Sequence, residues 1–505
     1  MAIYDSIVAG AREYPERTAL LYEGETWSYG ELNTATDTIA KRLIALGLQA
    51  GDRVALLFVN RPEIVCGYFA CFKAGLIVVP LNTRMKGHEL AYVLNHSGAK
   101  VLLAQPDLFQ EIQAIRETLE TVETCFLTDG GEAQTGDRAY AELLAEAGDI
   151  ALPPVCDEDP ALIMYTSGTT ARPKGVVHAH CTIQPLVIAT TADLRADRLE
   201  LGAAIPPLSH IGSLCGMLLP TLYAGGSLLL IPKFDPAAIV RTIELRKVTF
   251  FWLVPAMYAA LLHVPGATAQ SFASVKICLS AGDAMPNAMR TQLRERLGLV
   301  PIDPCGMTEM VYTMNPSDGR ARPGSIGLPL AGVEMKLLDD AGEEVAQGET
   351  GEIVARSPML MLGYWNDPEA TANAVRDGWL YTGDLARQDA DGYYWFVGRK
   401  KDVIVRGGSN IAPAEVEDAL LTHPDVASVS VVGVSDPILG QRVWAFIALK
   451  PDAAANEDAL KAHAQARIAA YKVPETIRIV LSLPIGLTGK VHRQTLREWA
   501  EESRS

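Results

Sequence analysis

The sequence predicts an α/β protein, and three features of its texture carry that prediction. Short apolar runs alternate with amphipathic segments from residue 18 to residue 104, and again from residue 226 to residue 280. Alternation of this kind is the mark of a parallel sheet covered by helices. From Gly327 to Gly398 the chain turns to short strands broken by Gly and Asp turns, as in Leu337-Leu338-Asp339-Asp340-Ala341-Gly342, which predicts a small β-rich subdomain. At 505 residues the chain is too long for one core, so two or more domains are expected.

Taken in order, the opening reads as helix, hairpin, helix. Thr18 to Tyr22 and Thr26 to Ser28 flank the turn Glu23-Gly24-Glu25, and Ser28-x-x-Glu31 forms a capping box ahead of Leu32 to Leu46. Val54 to Val59, Leu76 to Val79 and Val101 to Ala104 read as strands; Pro62 to Lys73 and His88 to Asn95 read as helices. Gln105 to Pro154 carries no clear period. Beyond it, Gly226 to Ile231, Phe250 to Val254 and Val275 to Ser280 predict strands around a helix from Pro236 to Arg246. After Gly398 a second unit begins, with strands at Val426 to Val434 and Val443 to Leu449 and a helix from Ala454 to Ala470. No flexible linker separates the two units, so any hinge is very short.

Hydrophobic content of 49% and charged content of 21% are ordinary for a globular protein. A formal net charge of −16 argues against nucleic acid or an anionic membrane as partner. The eight cysteines form no Cys-x-x-Cys pair and several lie in apolar runs, which fits reduced thiols in a cytoplasmic protein. The N-terminus lacks a basic region leading into an apolar core. Leu201 to Pro232 contains no Asp, Glu, Lys or Arg, but Pro206-Pro207, His210, Pro220 and Gly225-Gly226 interrupt it, so it reads as buried core beside a ligand cleft rather than as a membrane span.

The chemistry centres on Tyr165-Thr166-Ser167-Gly168-Thr169-Thr170-Ala171-Arg172-Pro173-Lys174-Gly175-Val176. A buried strand leads into a loop dense in hydroxyls, with glycines that let backbone amides approach a polyphosphate and a lysine that adds positive charge. The Gly-x-x-x-x-Gly-Lys-Ser/Thr pattern of a Walker loop is absent. The stretch resembles the signature of the adenylate-forming superfamily, which includes acyl-CoA synthetases, adenylation domains and firefly luciferase. Ala171 stands where that signature usually has Gly. The resemblance runs from about Ile7 to Arg497, with further motifs in the family's order. It implies a large N-terminal domain of two helix-flanked β-sheets plus a distorted β-barrel, spanning 1–399. A small mobile α+β C-terminal lid, 400–505, would follow, with the active site between them.

The resemblance also implies roles residue by residue. Thr166, Ser167, Gly168, Thr169, Thr170 and Lys174 would hold the phosphates of ATP. Cys305-Gly306-Met307-Thr308-Glu309 matches Tyr-Gly-x-Thr-Glu, so Thr308 would meet the α-phosphate and Glu309, with Thr169, would ligate Mg²⁺; Cys305 replaces the usual aromatic platform for adenine. Gly282, Asp283 and Ala284 would line the adenine pocket. Within Trp379-Leu380-Tyr381-Thr382-Gly383-Asp384, Asp384 would accept from the ribose hydroxyls, with Arg399 beside ribose or phosphate. Lys401 takes the hinge position. Gly407 and Gly408 would line the route of coenzyme A. Lys490, in Leu483-Pro484-x-x-x-x-Gly489-Lys490-Val491-x-Arg493, would bridge carboxylate and α-phosphate. His210, Gly212, Trp252 and Met307 are candidate walls of the acyl pocket, which is mostly apolar and offers no obvious cation for a second carboxylate.

The expectation is therefore ATP-dependent ligation of a fatty or aromatic monocarboxylic acid to coenzyme A through an acyl-adenylate, in a monomer or homodimer. A stand-alone adenylation enzyme loading a carrier-protein phosphopantetheine is the alternative. No residue pattern predicts a nucleophile–base pair, because the substrate brings its own nucleophile.

Overall fold

The structure is a computed structural model describing residues 2–128, 137–166, 173–195, 200–407, 409–451, 453–486 and 490–503; strand counts below are of these residues. One eight-stranded sheet runs in spatial order Gly363–Tyr364, Lys174–Ala179, Pro160–Thr166, Ile77–Pro80, Arg53–Leu57, Ala99–Ala104, Thr124–Leu127 and Asp137–Ala139. A six-stranded sheet runs Ile277–Ser280, Phe250–Leu253, Leu201–Ala204, Ser227–Leu230, Thr18–Tyr22 and Glu25–Ser28. Both are parallel except at one end, where each closes on antiparallel partners. Their central strands are apolar on both faces because helices cover both sides.

Local chemistry places the helices. Ser28 caps Tyr29–Ala45 through Glu31 as the capping box requires. Pro62 opens Pro62–Lys73, and Asp235 with Pro236 opens Pro236–Arg246, since proline at the first helical position lacks only a hydrogen bond the helix could not make. The charge-free stretch folds into Leu201–Ala204, a broken helix from Ile211 to Tyr223 with a π-helical turn at Leu214–Leu218, and Ser227–Leu230. Its side chains join the largest core, together with Tyr68, Phe72 and Phe250. Among the described residues, no helix is long and apolar enough to cross a membrane.

Two antiparallel sheets follow. Pro304–Met307, Met310–Met314 and Leu328–Pro329 form one; Glu334–Leu338, Thr350–Arg356, Trp379–Gln388, Val375–Arg376 and Tyr394–Arg399 form the other. The bridge Gly327↔Tyr394 joins this region together. They occupy the place of the distorted barrel.

The C-terminal part builds its own sheet from Ser409–Ile411, Ile404–Arg406, Gly440–Leu449, Val426–Asp436 and Thr476–Val480, packed with Pro413–Leu421, Glu457–Gln465 and Arg493–Glu502. Its apolar side chains form separate clusters around Ile404, Val431 and Phe446. The expected helix at 454–470 is the shorter Glu457–Gln465: Asn456 sets its start by accepting from the Ala459 amide, and it ends at Gln465. A large and a small α/β unit thus follow one another along the chain.

Candidate active site

The hydroxyl-rich loop connects two antiparallel strands whose last pair is Thr166↔Lys174. Ser167, Gly168, Thr169 and Thr170 lie outside the described residues. The loop's two ends are nevertheless fixed, and Lys174 is tied down by what lies beside it. Its ammonium stands 4.7 Å from the centroid of the Tyr364 ring. Tyr364 belongs to the short strand that pairs with Val176, and its hydroxyl donates to Glu309 Oε1 at 2.7 Å. Glu309 is buried, so this bond satisfies a charge that would otherwise be costly to keep there.

Thr308 and Glu309 sit at the tip of the hairpin Pro304–Met307 and Met310–Met314. A Cβ on Gly306 would lie 2.5 Å from Val311 Cα and 2.9 Å from the Met310 carbonyl, so only glycine lets the hairpin close. From the phosphate-loop strand, His178 reaches the same tip. Its Nε2 lies 2.8 Å from the Thr308 carbonyl and must carry the proton it donates. Burial lowers the pKa of this imidazole.

Asp384 and Arg399 face each other across paired strands, with Arg399 Nε 3.5 Å from Asp384 Oδ1. The other carboxylate oxygen accepts from Tyr312 Oη at 2.6 Å, and the Cys305 thiol donates to that same hydroxyl at 3.5 Å. Burial, reinforced by the Asp384 charge, pushes the Cys305 thiol up to about 12, so it stays protonated.

Lys490 enters from the C-terminal unit. Gly282 has φ +93°, and a Cβ there would sit 3.6 Å from Lys490 Cε. Burial and then Arg399 lower the Lys490 pKa, while Asp283 and Asp384 oppose them. Asp283 and Ala284 are exposed beside Gly282. Lys490 also acts on His210, whose pKa is pushed down to about 4, chiefly by burial. Gly212 lies near the Trp252 ring, 3.4 Å from where its Cβ would be. Trp252 Nε1 is buried without a partner among the described residues. Nearby, a narrow cleft is lined by Ile211, Cys215, Met307, Met310, Met359 and His178.

With the geometry in place, comparison with known proteins decides the family. Residues 8–365 match the family described as AMP-binding enzyme, and residues 415–490 match the AMP-binding enzyme C-terminal domain. The chain belongs to the AMP-binding enzyme family. It is 36% identical over 495 residues to a feruloyl-CoA synthase of an Amycolatopsis species, covering 97% of each chain. It is 32% identical to a long-chain-fatty-acid–CoA ligase of Bacillus subtilis, covering 98% of this chain and 93% of that one. The crystal structure of the anthranilate CoA ligase AuaEII in complex with anthranoyl-AMP superposes with a TM-score of 0.91 at 31% identity, over 100% of this chain and 98% of that one.

Among the residues predicted for the site, contacts tie Lys174 through Tyr364 to Glu309 beside Thr308, and a second set ties Asp384 to Arg399 and, through Tyr312, to Cys305, with Lys490 against Gly282. Lys401 lies in the single turn Lys400–Asp402 directly after Arg399. Gly407 has φ +56°, and a Cβ there would sit 3.8 Å from Leu439 Cδ2; Gly408 lies outside the described residues. Three side chains that touch these residues carried no signal in the sequence reading: Tyr364, His178 and Tyr312. Only His178 had one to find, since it follows Lys174 at even spacing along the same strand and shares its face.

Proposed function

We propose that this AMP-binding enzyme is an ATP-dependent acid–CoA ligase acting on fatty or aromatic monocarboxylic acids. A carboxylate oxygen attacks the α-phosphorus of ATP and the bond to pyrophosphate breaks. The thiolate of coenzyme A then attacks the acyl carbon, and AMP leaves. The observation that supports this reading is the approach of Lys490 to Gly282 with Asp283, Asp384 and Arg399 within its electrostatic reach, which fits a cation from the C-terminal unit serving a nucleotide held by the N-terminal one.

In this reading Lys490 steadies the carboxylate against the α-phosphate, Thr308 donates to that phosphate, and Asp384 accepts from the ribose. Thr166 to Thr170 and Lys174 hold the β- and γ-phosphates. Glu309 supplies the hard oxygen donor that Mg²⁺ takes, and one or two such ligands suffice when phosphates complete the shell. Bound there with Thr169, Mg²⁺ would offset phosphate charge. His210, Gly212, Trp252 and Met307 border the acyl pocket in this reading. His210 is neutral near pH 7 and so binds rather than neutralises a carboxylate. We place the domain boundary at 399/400, with Lys401 as the hinge on which residues 400–505 would rotate to bring Gly407 and Gly408 to coenzyme A. Eight unpaired cysteines support a cytoplasmic setting.

The test is pyrophosphate release across a panel of fatty and aromatic acids, with and without coenzyme A. Release coupled to consumption of coenzyme A is the expected result. Acyl-adenylate that reacts only with a carrier protein, or silence across the panel, would overturn it.

A further inference from the structure

Tyr312 is fully buried and its ring is part of the main core, yet its hydroxyl ends on the carboxylate of Asp384. We propose that Tyr312 is a positioning residue that orients Asp384 toward the two ribose hydroxyls of the nucleotide, through a chain running Cys305 to Tyr312 to Asp384. This rests on the reading of Asp384 as the ribose acceptor.

The direction of each hydrogen bond supports the assignment. The Cys305 thiol donates to Tyr312 Oη at 3.5 Å, which leaves the phenol's own proton for Asp384 Oδ2 at 2.6 Å. Burial keeps the phenol protonated far above its ordinary range. On the backbone side, the Asp384 amide donates to Thr382 Oγ1 at 3.0 Å, and that hydroxyl donates to the Ile353 carbonyl at 2.8 Å, so the main chain is fixed as well. Arg399, whose side chain is 46% exposed, lies 3.5 Å from Oδ1, and Lys490 acts on the same carboxylate electrostatically. A half-exposed guanidinium at that distance does not by itself choose one rotamer for Asp384. With Tyr312 holding Oδ2, Oδ1 and the spare lone pair of Oδ2 are left as a pair of acceptors for a ligand. Without that hydroxyl the carboxylate is free to turn onto Arg399 and lose the pairing.

The positions explain why the contact is not local. Cys305 and Tyr312 lie on adjacent strands of one hairpin, whereas Asp384 belongs to a different sheet. Tyr312 thus couples the hairpin that ends in Thr308 and Glu309 to the strand that carries the ribose site.

The experiment uses the full-length protein and measures binding of AMP, 2′-deoxy-AMP and 3′-deoxy-AMP by calorimetry, which needs no knowledge of the acid. Tyr312→Phe keeps the ring in its core. It is expected to weaken AMP about ten-fold and to reduce the preference for AMP over both deoxy forms by a similar factor, the size of losing one hydrogen bond to a charged group. A merely structural role would lower the melting temperature or weaken all three ligands alike, and an unchanged preference in folded Tyr312→Phe overturns the proposal. Asp384→Ala is measured alongside. If it loses the preference while Tyr312→Phe keeps it, the ribose reading stands and the positioning role fails; if Asp384→Ala also keeps it, both fail. Should Tyr312→Phe not fold, Cys305→Ala removes the outer donor and is expected to shift the preference about two-fold in the same direction, as a weak thiol bond implies; no shift there overturns the proposal equally.

Discussion

The Tyr364 hydroxyl donates to Glu309 Oε1 across 2.7 Å while the Tyr364 ring faces the Lys174 ammonium at 4.7 Å. One side chain therefore ties the end of the phosphate loop to the acidic residue assigned to magnesium. The two contacts can be separated by mutation. Tyr364→Phe keeps the ring and leaves the buried Glu309 without its donor, so pyrophosphate release at limiting Mg·ATP should fall about ten-fold or more, the effect of a hydrogen bond to a charged group. Tyr364→Ala also removes the cation–π contact and should cost a further ~2–5-fold. Equal activity of the two variants would mean that Lys174 is held by something else.

Lys490 should matter to only one half of the reaction. In the described structure it lies against Gly282 and within electrostatic reach of Asp384, where the nucleotide is proposed to bind. Lys490→Ala should slow adenylation by about 10²–10³-fold, as loss of one preorganised electrostatic contact does. Thioester formation from preformed acyl-adenylate and coenzyme A should change far less. Rapid-quench measurement of each half-reaction separates them, and equal loss in both would remove Lys490 from its assigned role.

The same lysine sets a pH dependence. Burial, then Arg399, lowers its pKa below the ordinary lysine value of ~10.4. The ammonium form is the useful one, so kcat/KM for ATP in adenylation should hold at lower pH and fall as pH rises through that lowered value. Lys490→Arg keeps its charge at any accessible pH and should remove this alkaline limb, even where it reduces the rate. His210, held near 4 by burial and by the Lys490 charge, should add no step around pH 6.5. A limb that survives in Lys490→Arg belongs to another group.

What the sequence made legible follows from range. Caps and breakers act within a turn, so the helices opened by Ser28, Pro62 and Pro236 were readable residue by residue. Contiguous motifs were readable for the same reason, which is why Thr308, Glu309, Asp384 and Lys490 could be named. Their partners could not. Tyr364 meets Glu309 from 55 residues away, Tyr312 meets Asp384 from 72, and His178 meets Thr308 from 130. Each contact crosses between strands that only the completed sheets bring together, and of the three only His178 shares a strand face with a residue the motifs name. The stretch 105–154 was opaque for a different reason. Its strands, Thr124–Leu127 and Asp137–Ala139, are too short to show alternation, and they lie at the margin of the large sheet.

Gly306 links this fold argument back to the chemistry. Its missing Cβ is what allows the strand Pro304–Met307 to lie against Val311, and the strand pairing shifts register at this point. Gly306→Ala must push a methyl into backbone atoms, which cannot yield as a flexible side chain would, so a loss of about 1–3 kcal/mol in stability is expected from overpacking. The hairpin tip carries Thr308 and Glu309, so adenylation should suffer beyond that loss: at temperatures where the variant is fully folded, its pyrophosphate release should still be reduced about ten-fold or more, in keeping with the sensitivity of catalysis to ångström-scale misplacement. Urea unfolding and pyrophosphate release on the same preparation check both halves. Full activity with unchanged unfolding would show that the hairpin can open without moving the two residues, and the close approach at Gly306 would then have no bearing on catalysis.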